Sequence, residues 1–152
     1  MRHLFSIPAF LTALSFVFLM TSCTNGSDDV VPTQDIVQQN VQTGSWKITS
    51  FIDSGNDETN HFTGYSFIFG SNGTLTATGG GSSVAGTWNI ADNNSNDDSV
   101  DDLDFNIFFN LGNDFDELSE DWNVVSQSSS KIELIHVSGG NGGTDHLTFE
   151  KK

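Results

Sequence analysis

The chain has 152 residues, with 20 acidic side chains against five Lys and Arg, one Cys, 13 Phe, 3 Trp and 1 Tyr. That length fits one domain, and a net charge of −15 excludes a nucleic-acid partner, because phosphate binding needs clustered Lys and Arg. One cysteine excludes a disulfide framework within the monomer, and without a Cys/His cluster a structural zinc site is excluded too, while the phenylalanine content is enough to build a real core.

Residues 1–22 read as a leader. Arg2 supplies a positive start, and Leu4 to Met20 is an uncharged, mostly apolar run of the kind that forms a signal-peptide core and falls short of the ~20 residues a membrane span needs. The run ends in Met20-Thr21-Ser22-Cys23, which resembles the lipobox of bacterial lipoproteins. The resemblance implies cleavage before Cys23 and lipidation of its sulfur, with two or three acyl chains holding the protein to the membrane, since each buried CH₂ contributes about 0.8 kcal/mol. Removing the leader also removes Arg2, leaving four lysines against the same 20 acidic residues. Thr24 follows the cysteine where an Asp would signal inner-membrane retention, and Ser27-Asp28-Asp29 resembles the signal that exports Bacteroidetes lipoproteins. The first implies the outer membrane and the second its cell-surface side, with the periplasmic face as the alternative.

Residues 23–43 then read as the lipidated cysteine and a flexible tether, polar with no sustained apolar period, with Pro32 and the stretch Gln38-Gln39-Asn40. From residue 44 the pattern changes to short alternating segments rich in Phe, Ile, Thr and Val, divided by Gly, Asn, Ser and Asp, which predicts antiparallel strands. Eight are expected, at about 44–53, 62–70, 73–79, 84–91, 102–110, 121–127, 131–138 and 144–151. Asn72-Gly73 predicts a type I′ hairpin. Ser128-Ser129-Ser130, residues 79–83 and residues 139–143 mark three more turns. Residues 112–120 hint at a helical turn, with Asp114, Asp116 and Glu117 at its N-terminal end.

Taking every second residue places Trp46, Ile48, Tyr65, Phe67, Phe69, Leu75, Trp88, Ile90, Phe105, Ile107, Phe109, Trp122, Val124, Ile132, Leu134, Leu147 and Phe149 on one face. Phe51, Ile68, Phe108, Ile135 and Val137 fall outside as an apolar patch suited to a partner. One-sided burial with short connections predicts an all-β, eight-stranded antiparallel up-and-down barrel over 44–152, because closure removes unpaired edges and gives the inward face one core.

Gly44-Ser45-Trp46 opens the first strand as G-x-W, Gly86-Thr87-Trp88 repeats it in the fourth, and Phe67-x-Phe69-x-x-Asn72-Gly73-Thr74 lies between. With an eight-strand meander, these residues resemble the small lipocalin-like domains of bacterial lipoproteins. The resemblance implies that Trp46 plugs the closed end of the barrel with Gly44 giving the tight turn beside it. Larger lipocalins lay an Arg over that Trp from the last strand; here Lys151 or Lys152 is the residue available. It also implies a small apolar or amphipathic ligand in the open mouth, where Tyr65, Phe69, Phe105 and Phe109 are the expected lining residues.

Catalytic constellations are thin. His61, His136, His146 and the carboxylates are the available bases, and no H-x-x-x-H, G-x-S-x-G or phosphate-binding loop accompanies them. No enzyme activity, no cofactor and no metal are expected. The nearest approach to a cation site is Asp92, Asn94, Asn96 and Asp98, which begins like a calcium loop but has Asp97 where Gly is needed and Leu103 where a bidentate Glu belongs. Asp98-Ser99-Val100 resembles an O-glycosylation sequon of exported Bacteroidetes proteins, making Ser99 a candidate. The expected function is non-catalytic ligand binding by a membrane-anchored barrel. The alternative is a surface interaction module contacting a protein or a glycan.

Overall fold

The computed structural model of the chain describes residues 33–92, 103–139 and 143–152. Cys23, Asn94, Asn96, Asp98 and Ser99 lie outside the described residues. The elements are α1 (Gln34–Gln42), β1 (Trp46–Asp53), β2 (Asn56–Asp57), β3 (Ser66–Phe69), β4 (Thr74–Gly79), β5 (Ser82–Asp92), β6 (Leu103–Phe108), β7 (Asp121–Gln127), β8 (Lys131–Val137) and β9 (Thr144–Lys151), with 3-10 turns at Thr59–Phe62 and Asp114–Leu118. Every strand pairing is antiparallel, in the order β2-β1-β3-β4-β5-β6-β7-β8-β9, and β1 also pairs with β9. That last pairing runs from Trp46↔Lys151 to Ile52↔His146 and closes the sheet into an eight-stranded barrel, with β2 as a two-residue flap on β1.

The seam of the barrel lies between β1 and β3, which share a single register pair, Trp46↔Phe67. Beyond it β1 bonds to the first 3-10 turn in place of a strand: Phe51 N donates to Thr59 Oγ1 at 2.8 Å, and Glu58 N donates to Phe51 O at 2.9 Å. The backbone groups that would otherwise form an open edge are thus taken up locally.

Alternation puts Trp46, Phe67, Phe69, Leu75, Phe105, Trp122, Ile132, Leu147 and Phe149 in the core, all of them essentially inaccessible to solvent. Phe51 breaks the expected alternation, for it is buried, not outward. The cause is a β-bulge in the β1–β9 ladder between Ile48 and Ser50. One extra residue shifts the inward parity from even to odd positions, so Phe51 packs edge-on against Trp122 and Phe62. A second bulge, between Val124 and Ser126 on β7, leaves Val125 exposed.

The turn at 70–74 also differs from expectation. Gly70 N donates to Thr74 O, Gly73 N donates to Gly70 O, and Asn72 Oδ1 accepts from Thr74 N. Of the loop residues Ser71, Asn72 and Gly73, only Gly73 has a positive φ, 79°. A type I′ turn needs two such residues, whereas a three-residue loop needs one, the glycine that follows its type I turn.

The largest departure lies in the segment read as a flexible tether. Residues 34–42 form α1, and Val37 and Val41 on one face of it are fully buried against the barrel. Its polar composition hid this, because two valines one turn apart are enough to dock a short helix on an end already lined by Trp46. Trp46 Nε1 donates to Val41 O at 2.8 Å, and Gln34 Nε2 donates to Ile90 O at 2.7 Å. Lys151 Nζ sits 4.6 Å from the centre of the Trp46 ring and donates to Asn40 O. The last strand therefore does lay a cation over the first-strand Trp, and the cation is Lys151.

The two G-x-W glycines serve different ends. Gly44 has φ +74°, a left-handed conformation that lets the chain turn from α1 into β1. Gly86 has no such angle; a Cβ there would fall 2.7 Å from the Phe109 ring and against the Phe108 carbonyl. Gly86→Ala is therefore expected to destabilise the fold by about 1–3 kcal/mol through overpacking, measured by urea unfolding. Val41→Ala is expected to cost about 2 kcal/mol, whereas a free tether would show no change in the midpoint.

Candidate functional site

The barrel has two unlike ends, fixed by strand direction. One, the helix end, carries α1, Trp46, Ile90, Lys131 and Lys151; the other, the loop end, carries Asp53, Gly79, Phe108, Asp121, Val137 and Thr144 with both 3-10 turns. Among the described residues the four lysines, Lys47, Lys131, Lys151 and Lys152, all stand at the helix end, where Lys47 and Lys131 each pair in register with Glu150 on the strand between them. The loop end gathers Asp53, Asp57, Glu58, Asp114, Asp116, Glu117, Glu120, Asp121 and Asp145, with only His61, His136 and His146 as basic groups. Among the described residues, the excess of acidic charge thus stands at the loop end.

The expected ligand mouth is filled. Phe69, Phe105 and Phe109 are buried and Tyr65 is half-buried. Phe69 meets Trp88, Phe105 and Phe149 edge-on at ring-centre distances of 5.3, 5.5 and 5.5 Å. Phe115, delivered by the second 3-10 turn, closes the loop end by packing on Phe62, Tyr65 and Phe109 at 5.4, 5.0 and 5.1 Å. These are the separations of favourable aromatic pairs and leave no room between rings. No pocket opens among the described residues. Phe69, Phe105 and Phe109 belong to the core and Tyr65 packs against it; side chains of this size can fill an eight-stranded interior.

The closing turn is held rigidly. Asp116 accepts from Leu111 N at 2.8 Å and Gly112 N at 2.9 Å, Asn113 Oδ1 accepts from Phe115 N, and Ser119 Oγ accepts from Phe109 N. Trp122 Nε1 donates to Leu118 O at 3.1 Å. Asp116 is thus consumed by the loop, which leaves Asp114 and Glu117, three apart on one turn, presented on the same side.

Those two carboxylates meet His61 from the first 3-10 turn. His61 Nε2 is 3.2 Å from Glu58 Oε2, while Nδ1 is 3.8 Å from both Asp114 Oδ2 and Glu117 Oε2. Nδ1 is shielded from solvent and has no hydrogen-bond partner, an arrangement that costs about 1–3 kcal/mol when nothing completes it. Burial is the main cause pushing the Glu117 carboxyl above its usual range; His61 opposes it, and Asp114, Glu58 and Asp53 reinforce it. A second group, on the other side of the same loop, joins His136 to Glu120 (Nε2–Oε2 3.5 Å) and Asp121 (Nδ1–Oδ1 3.4 Å). There His136 Nδ1 is already 3.2 Å from the Asp121 carbonyl, and its ring lies edge-on to Trp122.

Sequence reading gave His61, His136 and His146 only as available bases and assigned Asp114, Asp116 and Glu117 only the N-terminal end of a helical turn. The usable signal was the three-residue spacing of Asp114 and Glu117; nothing local linked them to His61. Of the oxygen-rich segment, Asp92 alone is described, as the last residue of β5 at the helix end. Both His/carboxylate groups offer one ligand atom per residue within 4.8 Å of one another, a mixed donor set that the search for Cys/His clusters did not cover.

No family model matches the chain, and no curated protein matches it. Among solved structures it is similar to a DUF4847 family protein from Bacteroides vulgatus ATCC 8482, at 15% identity and a TM-score of 0.46, over 76% of this chain and 97% of that one. No helix among the described residues is long and apolar enough to cross a membrane.

Since its folded pKa is raised, Glu117 in its charged form destabilises the fold, a penalty that appears as pH rises through that pKa and is absent below the usual carboxylate range. Glu117→Gln is therefore expected to raise the melting temperature of metal-free protein at pH 7 and to leave it unchanged at pH 3. The gain is less than about 1 kcal/mol, since the side chain is more than a third exposed and screened. Thermal melts of both proteins across that range check the sign.

Proposed function

We propose that this protein is a lipid-anchored, non-catalytic interaction module, held to the outer membrane through Cys23 and presenting the loop end of its barrel to a basic protein partner at the cell surface. The single observation that carries this reading is the filled interior, since a solid barrel moves recognition from the inside of the fold to its outer surface. The charge layout supports it. The chain enters the barrel at the helix end, so an anchor at Cys23 lies at most about 35 Å of chain away and directs the acidic end away from the lipid.

The outer wall adds an apolar component. Phe108 on β6 and Val137 on β8 are more than half exposed, and Leu111 lies just beyond β6. Asp121, on the strand between them, is flanked by Glu120. Exposed apolar side chains bordered by charge are the usual composition of a recognition surface, and acidic groups of one sign speed encounter with a basic partner. Of the apolar residues expected outside, Phe108, Ile68 and Val137 are exposed and Ile135 is partly so.

Crosslinking on intact cells of the host tests the reading. Phe108→Ser with Asp121→Lys is expected to abolish a salt-sensitive crosslinked partner while the melting temperature stays within a few degrees, since both are surface changes. An unchanged crosslinking pattern in the folded double variant would remove the loop end from consideration.

A further inference from the structure

His61 is placed to do more than neutralise its neighbours. With Glu58 Oε2 at 3.2 Å from Nε2, the carboxylate favours the tautomer whose proton sits on that nitrogen. Nδ1 then presents a lone pair, shielded from solvent and without a hydrogen-bond partner, to one oxygen of Asp114 and one of Glu117, both 3.8 Å away. Three acceptors facing one another is an arrangement that a cation completes. None of the described lysines can supply one, because they stand at the opposite end of the barrel.

We propose that His61, Asp114 and Glu117 form a binding site for one divalent transition-metal ion of the zinc class, with His61 Nδ1 and one oxygen from each carboxylate as ligands and Glu58 orienting the imidazole through Nε2. Zinc–nitrogen and zinc–oxygen bonds of about 2.0–2.2 Å in a tetrahedron set ligands about 3.4 Å apart, so each carboxylate oxygen needs to close on Nδ1 by only a few tenths of an ångström. Imidazole with carboxylate selects zinc and its neighbours over calcium or magnesium, which take all-oxygen shells. Three protein ligands leave the fourth position to water or to a donor from a partner. A carboxylate behind the imidazole is the usual outer partner of a metal-bound histidine, and Glu58 occupies that place.

The neighbouring group at His136 is less suited. Its two carboxylates lie against different ring nitrogens, Glu120 at Nε2 and Asp121 at Nδ1, and Nδ1 also lies 3.2 Å from a backbone carbonyl, so they do not converge on one unpartnered nitrogen as Asp114 and Glu117 do at His61. That difference makes it an internal control. A bound dication would also offset the repulsion among Glu58, Asp114 and Glu117 around the imidazole and tie the first 3-10 turn to the second. The inference stands apart from the proposed function, because it is read on the protein alone, with no partner present.

The test is a titration of the chelator-stripped full chain with zinc against a chromophoric competitor, repeated with calcium and magnesium. One equivalent of zinc is expected to bind at neutral pH with micromolar affinity or better, to raise the melting temperature, and to weaken on acidification as the ligands take up protons. Glu58→Gln is expected to weaken binding by about ten- to a hundredfold, His61→Gln and Glu117→Gln by more, and His136→Gln not at all. Glu117 is exposed, so its variant keeps the test valid even if His61→Gln fails to fold. Absence of saturable zinc binding, binding unaffected by Glu117→Gln, or binding lost in His136→Gln would each overturn the site.

Discussion

Closure of the sheet through β1 and β9 is the constraint on which the rest of this structure depends. Once Trp46 pairs with Lys151 and the ladder runs on to Ile52 and His146, the inward face of eight strands becomes a fixed volume that the chain must fill without strain or void. The chain fills it with rings. Phe67, Phe69, Trp88, Phe105 and Phe149 form a continuous set of edge-on and tilted contacts along the barrel, each pair adding to the burial of large apolar surface. Gly86 is the counterpart of that filling, since the space its absent side chain leaves is taken by Phe109.

Both ends are then stopped by local devices. At the helix end, α1 lays Val37 and Val41 over the core and Trp46 bonds back to it, with Lys151 stacked on the indole. At the loop end, the two 3-10 turns bring Phe62 and Phe115 together under a loop held by Asp116 and Asn113. The strand order that does this also segregates charge, with lysines at one end and most described carboxylates near the other. Among the described residues, acidic charge is therefore concentrated where the chain is farthest from its point of entry. The barrel acts as a rigid support that holds side chains from distant parts of the sequence, among them His61, Asp114 and Glu117, within ångströms of one another.

Much of the wall was legible, because period-two alternation between turn residues is a strong local signal. The expected segments at 73–79, 121–127, 131–138 and 144–151 coincide with β4, β7, β8 and β9 to within a residue. What escaped was non-local. The bulge that turns Phe51 inward depends on pairing with β9, and the docking of α1 depends on a barrel end that the polar segment itself does not encode. The loop end shows the same limit, since Asp114 and Glu117 announce a common face but only the fold brings His61 to it. Of the residues expected to line a mouth, Phe69, Phe105 and Phe109 are buried and Tyr65 is half-buried. Alternation gives direction and says nothing about free volume, which here is taken up by ring-on-ring packing among the described residues.

The proposed function requires a filled barrel that carries its recognition surface on the outside. Native mass spectrometry of the protein purified from its own host, before and after extraction with organic solvent, tests this most directly. The account predicts the mass of the protein with its covalent lipid in both spectra. A further mass present before extraction and absent after it would show a non-covalent apolar cargo, and would contradict a solid interior.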